Sequence, residues 1–179
     1  IVFSVFAECA TRAPSLVLAN SNYVKKVVFP LETLAIVSML AALFHALVSI
    51  AAWFLAHLLF IGLPPVTAFL LPVALLPLVL LVLGLSWFLA ALGVYFRDVA
   101  QVVTLLTTAL MFLSPVFYPL SAVPEDIRWL MLLNPLAAII ESVRDLLYWG
   151  ALPGVAAWGM QLFASLAVAW LGFRVFQGS

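Results

Sequence analysis

The chain has 179 residues, of which 68% are hydrophobic and 8% are charged, and its basic and acidic residues balance at seven each. A soluble domain carries roughly 25% charged residues, so this composition is typical of an integral membrane protein. With no net charge, the chain offers no field that would attract nucleic acid. The single cysteine, Cys9, excludes an internal disulfide framework and a thiolate metal cluster.

Residues 1–19 form an apolar stretch that Glu8, Arg12 and Pro14 interrupt. We interpret this stretch as the cytoplasmic half of a membrane span. Because the chain begins with Ile1 inside what reads as a helix, we expect a fragment that lacks its N-terminus. A polar loop, residues 20–32, follows.

The next long region, from Thr33 to Phe96, contains no Asp, Glu, Lys or Arg. A single span needs about 20 apolar residues, so this region predicts two spans, with the prolines of "GLPP" supplying the turn between them. Pro72 and Pro77 are expected to kink the second span. Later apolar runs complete an all-α polytopic bundle, whose predicted spans are 34–60, 67–93, 99–118 and 155–173.

The basic residues of the short loops predict the orientation, because they concentrate on the cytoplasmic side. One side carries Arg12, Lys25, Lys26, Arg97 and Arg174, whereas the other carries Arg128 and Arg144 among four acidic residues, Glu125, Asp126, Glu141 and Asp145. The loop 20–32 and the C-terminal end of the chain are therefore predicted to face the cytoplasm.

Residues 119–150 are too interrupted to span and too apolar to lie free in water. Pro124 suits the first position of a short helix, and Asn134-Pro135 ends that helix and caps a second one, which Gly150 terminates. Two interpretations remain open. The pair could lie on the outer leaflet as interfacial helices, or it could form a re-entrant hairpin buried between spans and act as an outer gate.

The segment "GVYFRDVAQVVTLLTTALMFLSPVFYPLSAVPEDIRWLMLLNPLAAIIESVRDLLYWG" resembles the C-terminal half of polysaccharide-export permeases of the type-2 ATP-binding-cassette class. The specific part is the order of "FRDV", a span, "SPVFYP", "VP", "LNP" and "R…L…G". Upstream, "NSNYVKKVVFPLE" is similar to the cytoplasmic loop of that family, although Tyr23 stands where the family usually has leucine. The resemblance covers essentially the whole chain.

The resemblance implies a six-span permease subunit of the bacterial inner membrane that forms a homodimer and pairs with two separate ATPase chains. Its cargo would be a lipid-linked polysaccharide such as O-antigen or capsule. The chain contains no G-x-x-x-x-G-K-[ST] phosphate loop. We therefore expect no cofactor on this chain, with ATP and magnesium held by the partner ATPase.

The cytoplasmic loop has two interpretations. It could be a solvated turn whose lysines only set the topology, or a short coupling helix seated in the ATPase, with an apolar anchor and two steering lysines. The candidate coupling residues are Tyr23, Lys25, Lys26, Phe29, Pro30 and Glu32. Arg97 and Asp98 mark the cytoplasmic entrance, either as interface charges or as a site where Arg97 contacts an anionic phosphate headgroup or the ATPase.

A stripe of Gln101, Thr104, Thr108 and Phe112 could line a channel, although such hydroxyls and amides more often hold helices together. The aromatic residues of the outer half could form an interfacial belt or could stack on sugar rings, with Phe117 and Tyr118 the best candidates for stacking. The candidate gate residues are Ser114, Pro115, Phe117, Tyr118, Pro124, Trp129, Asn134, Pro135, Glu141 and Arg144.

Other functions remain open at this stage. The chain could export a small amphiphile such as a drug or a lipid, or it could be a passive scaffold subunit. An intramembrane glycan-modifying enzyme would need buried acid, base or nucleophile groups, and between residues 33 and 96 the titratable residues are only His45, His57 and Tyr95. The two histidines are about 120° apart around one helix, so they cannot share a metal ion within one chain.

Overall fold

The structure is a computed structural model that describes residues 1–20, 30–96, 98–118, 122–124, 126, 131 and 134–178. All regular elements in these ranges are helical. The α-helices are α1 (Val2–Arg12), α2 (Leu16–Ala19), α3 (Glu32–Phe60), α4 (Leu71–Ala74), α5 (Leu76–Tyr95), α6 (Val99–Leu113), α7 (Pro135–Arg144) and α8 (Val155–Gln177). Two short 3₁₀-helices, Ala13–Ser15 and Val66–Leu70, precede α2 and α4, and one π-helical turn, Asp145–Trp149, follows α7.

Four helical stretches are long and apolar enough to cross a membrane, and they are Val2–Ala19, Glu32–Phe60, Val66–Tyr95 and Val155–Gln177. The predicted all-α, multi-span class is therefore confirmed. The first of these stretches was expected to be half of a span, but its length and composition are sufficient for a crossing.

The second predicted span consists of more than one helical segment. Leu75 separates α4 from α5, and Pro72 and Pro77 each stand in the first turn of one of these two helices. A proline lacks a backbone N–H and is tolerated in the first turn, where that donor has no helical partner. The prolines therefore stand where new helical segments begin.

The predicted span 99–118 is longer than the observed helix at its outer end, because α6 ends at Leu113. Ser114 leaves the helix with extended backbone angles, φ −103° and ψ 146°, as the residue before a proline commonly does. With 15 residues, α6 is about 22 Å long and is not among the four stretches named above.

The predicted hairpin of two short helices is described only in its second half. That half is α7 with the π-helical turn, and Gly150 ends it with a left-handed φ of 61°, as predicted. Most of the first short helix, 124–133, lies outside the described residues. The re-entrant arrangement therefore stays a prediction.

Helix α1 lies at the centre of the fold and packs against α3, α5, α6 and α7. Its buried side chains include Val5, Phe6, Cys9 and Ala10. The face that α7 turns toward this core consists of Leu136, Ile139, Ile140 and Val143, which helical spacing puts on one side of the helix.

The tightest helix pair is α5 with α8, where glycines bring the two backbones together. A Cβ atom added to Gly84 would lie 2.5 Å from the Cα of Ala169, and one added to Gly172 would overlap the carbonyl of Gly84. Small residues at a contact allow this close approach, which gives membrane helices their dispersion contacts. This pair is therefore closely packed along its length of contact.

Candidate functional site

The turn that follows α6 is fastened to the start of α7 by Asn134. Its side-chain oxygen accepts a hydrogen bond from the backbone N–H of Leu136 at 3.0 Å and so caps α7. Its amide nitrogen donates to the hydroxyl of Ser114 at 2.8 Å. Ser114 is completely buried, and the next residue, Pro115, is buried with it.

A second fastening involves the other end of α7. The guanidinium of Arg144 donates one hydrogen bond to the carboxylate of Glu141, one turn earlier on the helix, and another to the backbone carbonyl of Pro115. A planar guanidinium can serve both acceptors at once because its N–H groups form a rigid fork. The structure thus brings together five predicted gate residues, Ser114, Pro115, Asn134, Glu141 and Arg144.

Asp145 adds a second carboxylate beside this network. Burial raises the pKa of Asp145 above its ordinary value, the neighbouring Glu141 carboxylate raises it further, and the Arg144 guanidinium opposes both effects. The arginine is therefore shared between two carboxylates, of which Glu141 receives the direct hydrogen bond.

An open cavity of about 660 Å³ lies next to this junction. Its walls are aliphatic side chains of α1, α3, α4 and α7, and its polar groups are few. The aromatic and charged side chains that line it are Phe3, Trp53, Phe117, Tyr118, Tyr148, Trp149 and Arg144. A mainly apolar cavity with a few polar groups is the usual form of a ligand site.

Trp53 and Tyr148 join two sides of this cavity. The indole N–H of Trp53 donates to the hydroxyl of Tyr148 at 3.1 Å, and the two rings meet edge to face with centroids 5.7 Å apart. The ring of His57 lies 5.0 Å from that of Trp53, and its Nδ1 is 3.0 Å from the carbonyl oxygen of Gly62. Sequence reasoning missed Trp53, since no local spacing relates it to a residue 95 positions away.

The two predicted stacking residues differ in their surroundings. Tyr118 folds back toward α6, where its hydroxyl donates to the carbonyl of Phe112 at 2.8 Å. Phe117 is 72% exposed and has no such anchor among the contacts of the described residues. Both rings line the cavity, so the structure places them where stacking on a ligand is geometrically possible.

The predicted channel stripe lies on an open face of α6. Gln101, Thr104, Thr108 and Phe112 are all exposed in the single chain. The two threonine hydroxyls donate to carbonyls of their own helix, Thr104 to Ala100 at 2.8 Å and Thr108 to Thr104 at 3.0 Å. Whether this face meets a second subunit or a passage stays a prediction.

Several predicted site residues lie outside the described residues, and they are Tyr23, Lys25, Lys26, Phe29, Arg97 and Trp129. Pro30 and Glu32 are described at the start of α3, and Asp98 occupies the N-cap position of α6 without a side-chain capping bond. The backbone carbonyl of Glu32 accepts a hydrogen bond from the indole of Trp87 at 3.0 Å. Pro124 is described, but most of the residues between it and Asn134 lie outside the described residues.

Neither histidine belongs to a metal site in the part of the chain that the structure describes. No group of three or more His, Cys, Asp or Glu side chains in that part could hold a metal ion. Nδ1 of His57 lies 3.0 Å from the carbonyl oxygen of Gly62, and His45 lies beside the carboxylate of Glu8.

These helices and their apolar surfaces define a multi-pass integral membrane protein. The chain belongs to the ABC-2 type transporter family, whose family model matches residues 1–148. Members of this family are membrane permease components of transporters and not catalytic subunits, so the interpretation as an intramembrane enzyme is excluded.

Three similar proteins are named O-antigen export system permease protein RfbA. Two come from Klebsiella pneumoniae and are 30% and 29% identical over 149 residues, which cover 82% of this chain and 57% of each relative. The third comes from Myxococcus xanthus and is 28% identical over 174 residues, 96% of this chain and 67% of that relative. The chain therefore spans little more than half the length of the Klebsiella proteins.

Proposed function

We propose that the chain is the transmembrane part of an ATP-driven exporter that moves a polysaccharide, such as a lipid-linked O-antigen or capsule chain, across the bacterial inner membrane. The observation that supports this most strongly is the similarity to O-antigen export permeases over 82% of the chain. Under this proposal the subunit forms a homodimer and binds a separate ATPase that supplies the nucleotide site.

The chemistry of the outer cavity suits this cargo. Pyranose rings have apolar C–H faces that stack on aromatic rings, and Trp53, Phe117 and Tyr148 offer such rings around one space. The tyrosine hydroxyls and the Arg144 guanidinium provide hydrogen bonds for sugar hydroxyls at the same place. The cavity therefore serves as the outer exit of the transport path, next to the fastened turn at Ser114 and Pro115.

In this proposal the gate is the junction between the end of α6 and α7. Its two fastenings, by Asn134 and Arg144, hold the turn against α7. Opening would require the carbonyl of Pro115 and the hydroxyl of Ser114 to exchange these partners. The cytoplasmic loop 20–32 would receive the movement of the ATPase and Arg97 would contact the headgroup or the ATPase, as expected from the sequence.

The test measures where a labelled glycan accumulates in cells that produce the full-length permease and its ATPase. Trp53→Ala removes an aromatic wall of the cavity and the bond to Tyr148, so we expect glycan to accumulate inside the cells and to decrease on the surface. Phe163→Ala is the matched control, because Phe163 is a large aromatic residue that is 75% exposed on α8. Normal surface glycan in cells without the permease would contradict the proposal.

The same experiment tests a second candidate, the export of a small amphiphile, which the aliphatic walls of the cavity favour. In that case the surface glycan would be unchanged in cells without the permease, and a labelled lipid or drug would be retained instead. The two outcomes are distinguishable in one set of cells.

A further inference from the structure

A cluster of three ionisable side chains lies between α1 and α3, away from the outer cavity. The carboxylate of Glu8 is 3.0 Å from the guanidinium of Arg12 and 3.1 Å from Nδ1 of His45. The carboxylate is mostly covered, with 20% of its side chain exposed, whereas the side chains of Arg12 and His45 are 54% and 60% exposed. The cluster is therefore open on one side.

Helix geometry places this cluster near the middle of the membrane. His45 is about 20 Å along the axis from Glu32 and about 22 Å from Phe60, the two ends of α3. Glu8 is about 16 Å from Ala19, the end of the first candidate span. His45 is therefore far from both ends of an apolar helix long enough to cross a bilayer, and its contact with Glu8 puts the carboxylate at the same depth.

The cluster is part of a longer polar surface. On α1 the residues that the core does not cover repeat at helical spacing, and on α3 a serine follows His45 by one turn. We call this set the α1–α3 polar surface, and it consists of Ser4, Glu8, Thr11, Arg12, Ser15, His45 and Ser49. By contrast, the exposed face of α8 carries Met160, Phe163, Leu166 and Trp170, which lipid can cover.

Hydrocarbon cannot cover the α1–α3 polar surface at low cost. Charged side chains at this depth face either a protein partner or a water-filled cavity, because lipid offers no hydrogen bonds and a low dielectric constant. Three of its four hydroxyls donate to backbone carbonyls three or four residues earlier, Thr11 to Ala7 at 2.7 Å, Ser15 to Arg12 at 2.9 Å and Ser49 to His45 at 2.9 Å.

Glu8 likewise has two partners within the fold. Three hydroxyl donors and the Glu8 carboxylate of the α1–α3 polar surface thus have partners without a covering helix, while more than half of the Arg12 side chain is open. A guanidinium carries five N–H donors, and water is the partner that fits several donors on an open face.

We propose that the α1–α3 polar surface lines a water-filled passage through the membrane. The Glu8–Arg12 pair cancels its own charge, so the surface offers hydrogen-bond donors and acceptors with little net field. Such a surface fits a neutral cargo rich in hydroxyl groups, and this choice of cargo rests on the proposed function. The presence of water does not depend on the cargo.

The test is cysteine accessibility in the full-length permease assembled with its ATPase in membrane vesicles. Cys9, the single cysteine of this chain, is first replaced by serine, together with any cysteine elsewhere in the full-length protein. Ser4→Cys and Ser49→Cys then report from the two helices of the polar surface. Leu47→Cys is the matched control, because Leu47 is 61% exposed on α3, two residues from Ser49 and on the opposite side of the helix.

The reagent is a charged methanethiosulfonate that does not enter lipid. Only the thiolate reacts, and a thiol ionises in water but not in hydrocarbon. We expect the two serine-derived cysteines to react at least about tenfold faster than Leu47→Cys, since thiolate formation depends on hydration. Equal and slow reaction at all three positions would overturn the proposal, whether lipid or another protein segment covers the surface. A thiol count after denaturation confirms that each variant is present, and the outcome is independent of the glycan assay.

Discussion

At the scale of single residues, Asn134 makes two hydrogen bonds that mutation can separate. Asn134→Ala removes the cap of α7 and the bond to Ser114, and we expect a loss of about 1–2 kcal/mol in the free energy of unfolding. Asn134→Asp keeps an acceptor for the cap but lacks the N–H donor to Ser114. It should therefore lose less than Asn134→Ala.

Thermal or denaturant unfolding of the purified full-length permease measures both variants against the wild type. Equal stability of the alanine variant and the wild type would show that neither hydrogen bond stabilises the junction. If the aspartate variant is as unstable as the alanine variant, the bond to Ser114 and not the cap provides the stabilisation.

The residue scale also shows what sequence can and cannot predict about the candidate site. The cap at Asn134 and the pairing of Glu141 with Arg144 were predictable, because each depends on residues within one helical turn. The bond from Arg144 to Pro115 spans 29 positions, and the Trp53–Tyr148 contact spans 95. Such contacts depend on how the helices are arranged, and no periodicity in one helix encodes that arrangement.

At the scale of helices, the α5–α8 contact depends on the absence of side chains. Gly172→Ala would place a Cβ against the carbonyl of Gly84. That carbonyl belongs to the helix backbone, so it cannot rotate away as a side chain can. We expect the helices to separate and the free energy of unfolding to fall by about 1–3 kcal/mol or more. The variant would also lower the thermal midpoint of the purified protein.

Gly159→Ala is the control on the same helix. A Cβ at Gly159 would meet nothing within 4 Å, and alanine is a better helix former than glycine by up to about 1 kcal/mol. Gly159→Ala should therefore leave stability unchanged or raise it slightly. A similar loss in both variants would mean that the close contact of α5 with α8 is not what Gly172 provides.

The helices themselves were largely predictable, and their packing was not. Charge-free runs and prolines predicted where most of the spans begin and end, since lipid requires long apolar helices and proline cannot continue one. The apolar α5 and α8 have no polar face to show which side meets a neighbour. The amphipathic α7 does have a polar face, and its buried residues recur at helical spacing on the other side.

At the scale of the whole molecule, the proposed coupling needs a physical link from the loop 20–32 to the rest of the bundle. The structure contains one at Glu32, where α3 begins directly after that loop. The backbone carbonyl of Glu32 accepts the indole N–H of Trp87 on α5 at 3.0 Å, and the ring of Trp87 lies 5.0 Å from that of Phe173 on α8. A displacement of the start of α3 would therefore act on the closely packed α5–α8 pair.

Trp87→Phe tests this link, because phenylalanine keeps an aromatic ring beside Phe173 but has no N–H for the carbonyl of Glu32. We expect ATP hydrolysis by the assembled exporter to continue while glycan export falls several-fold, in line with the changes of about 0.5–2 kcal/mol that residues between two coupled sites can cause. Trp170→Phe is the control, since Trp170 is 57% exposed and stacks on Arg174 of its own helix. Export and hydrolysis that both stay at the wild-type level in Trp87→Phe would place the coupling elsewhere, and a parallel loss of both would indicate a failure of assembly instead of a broken link.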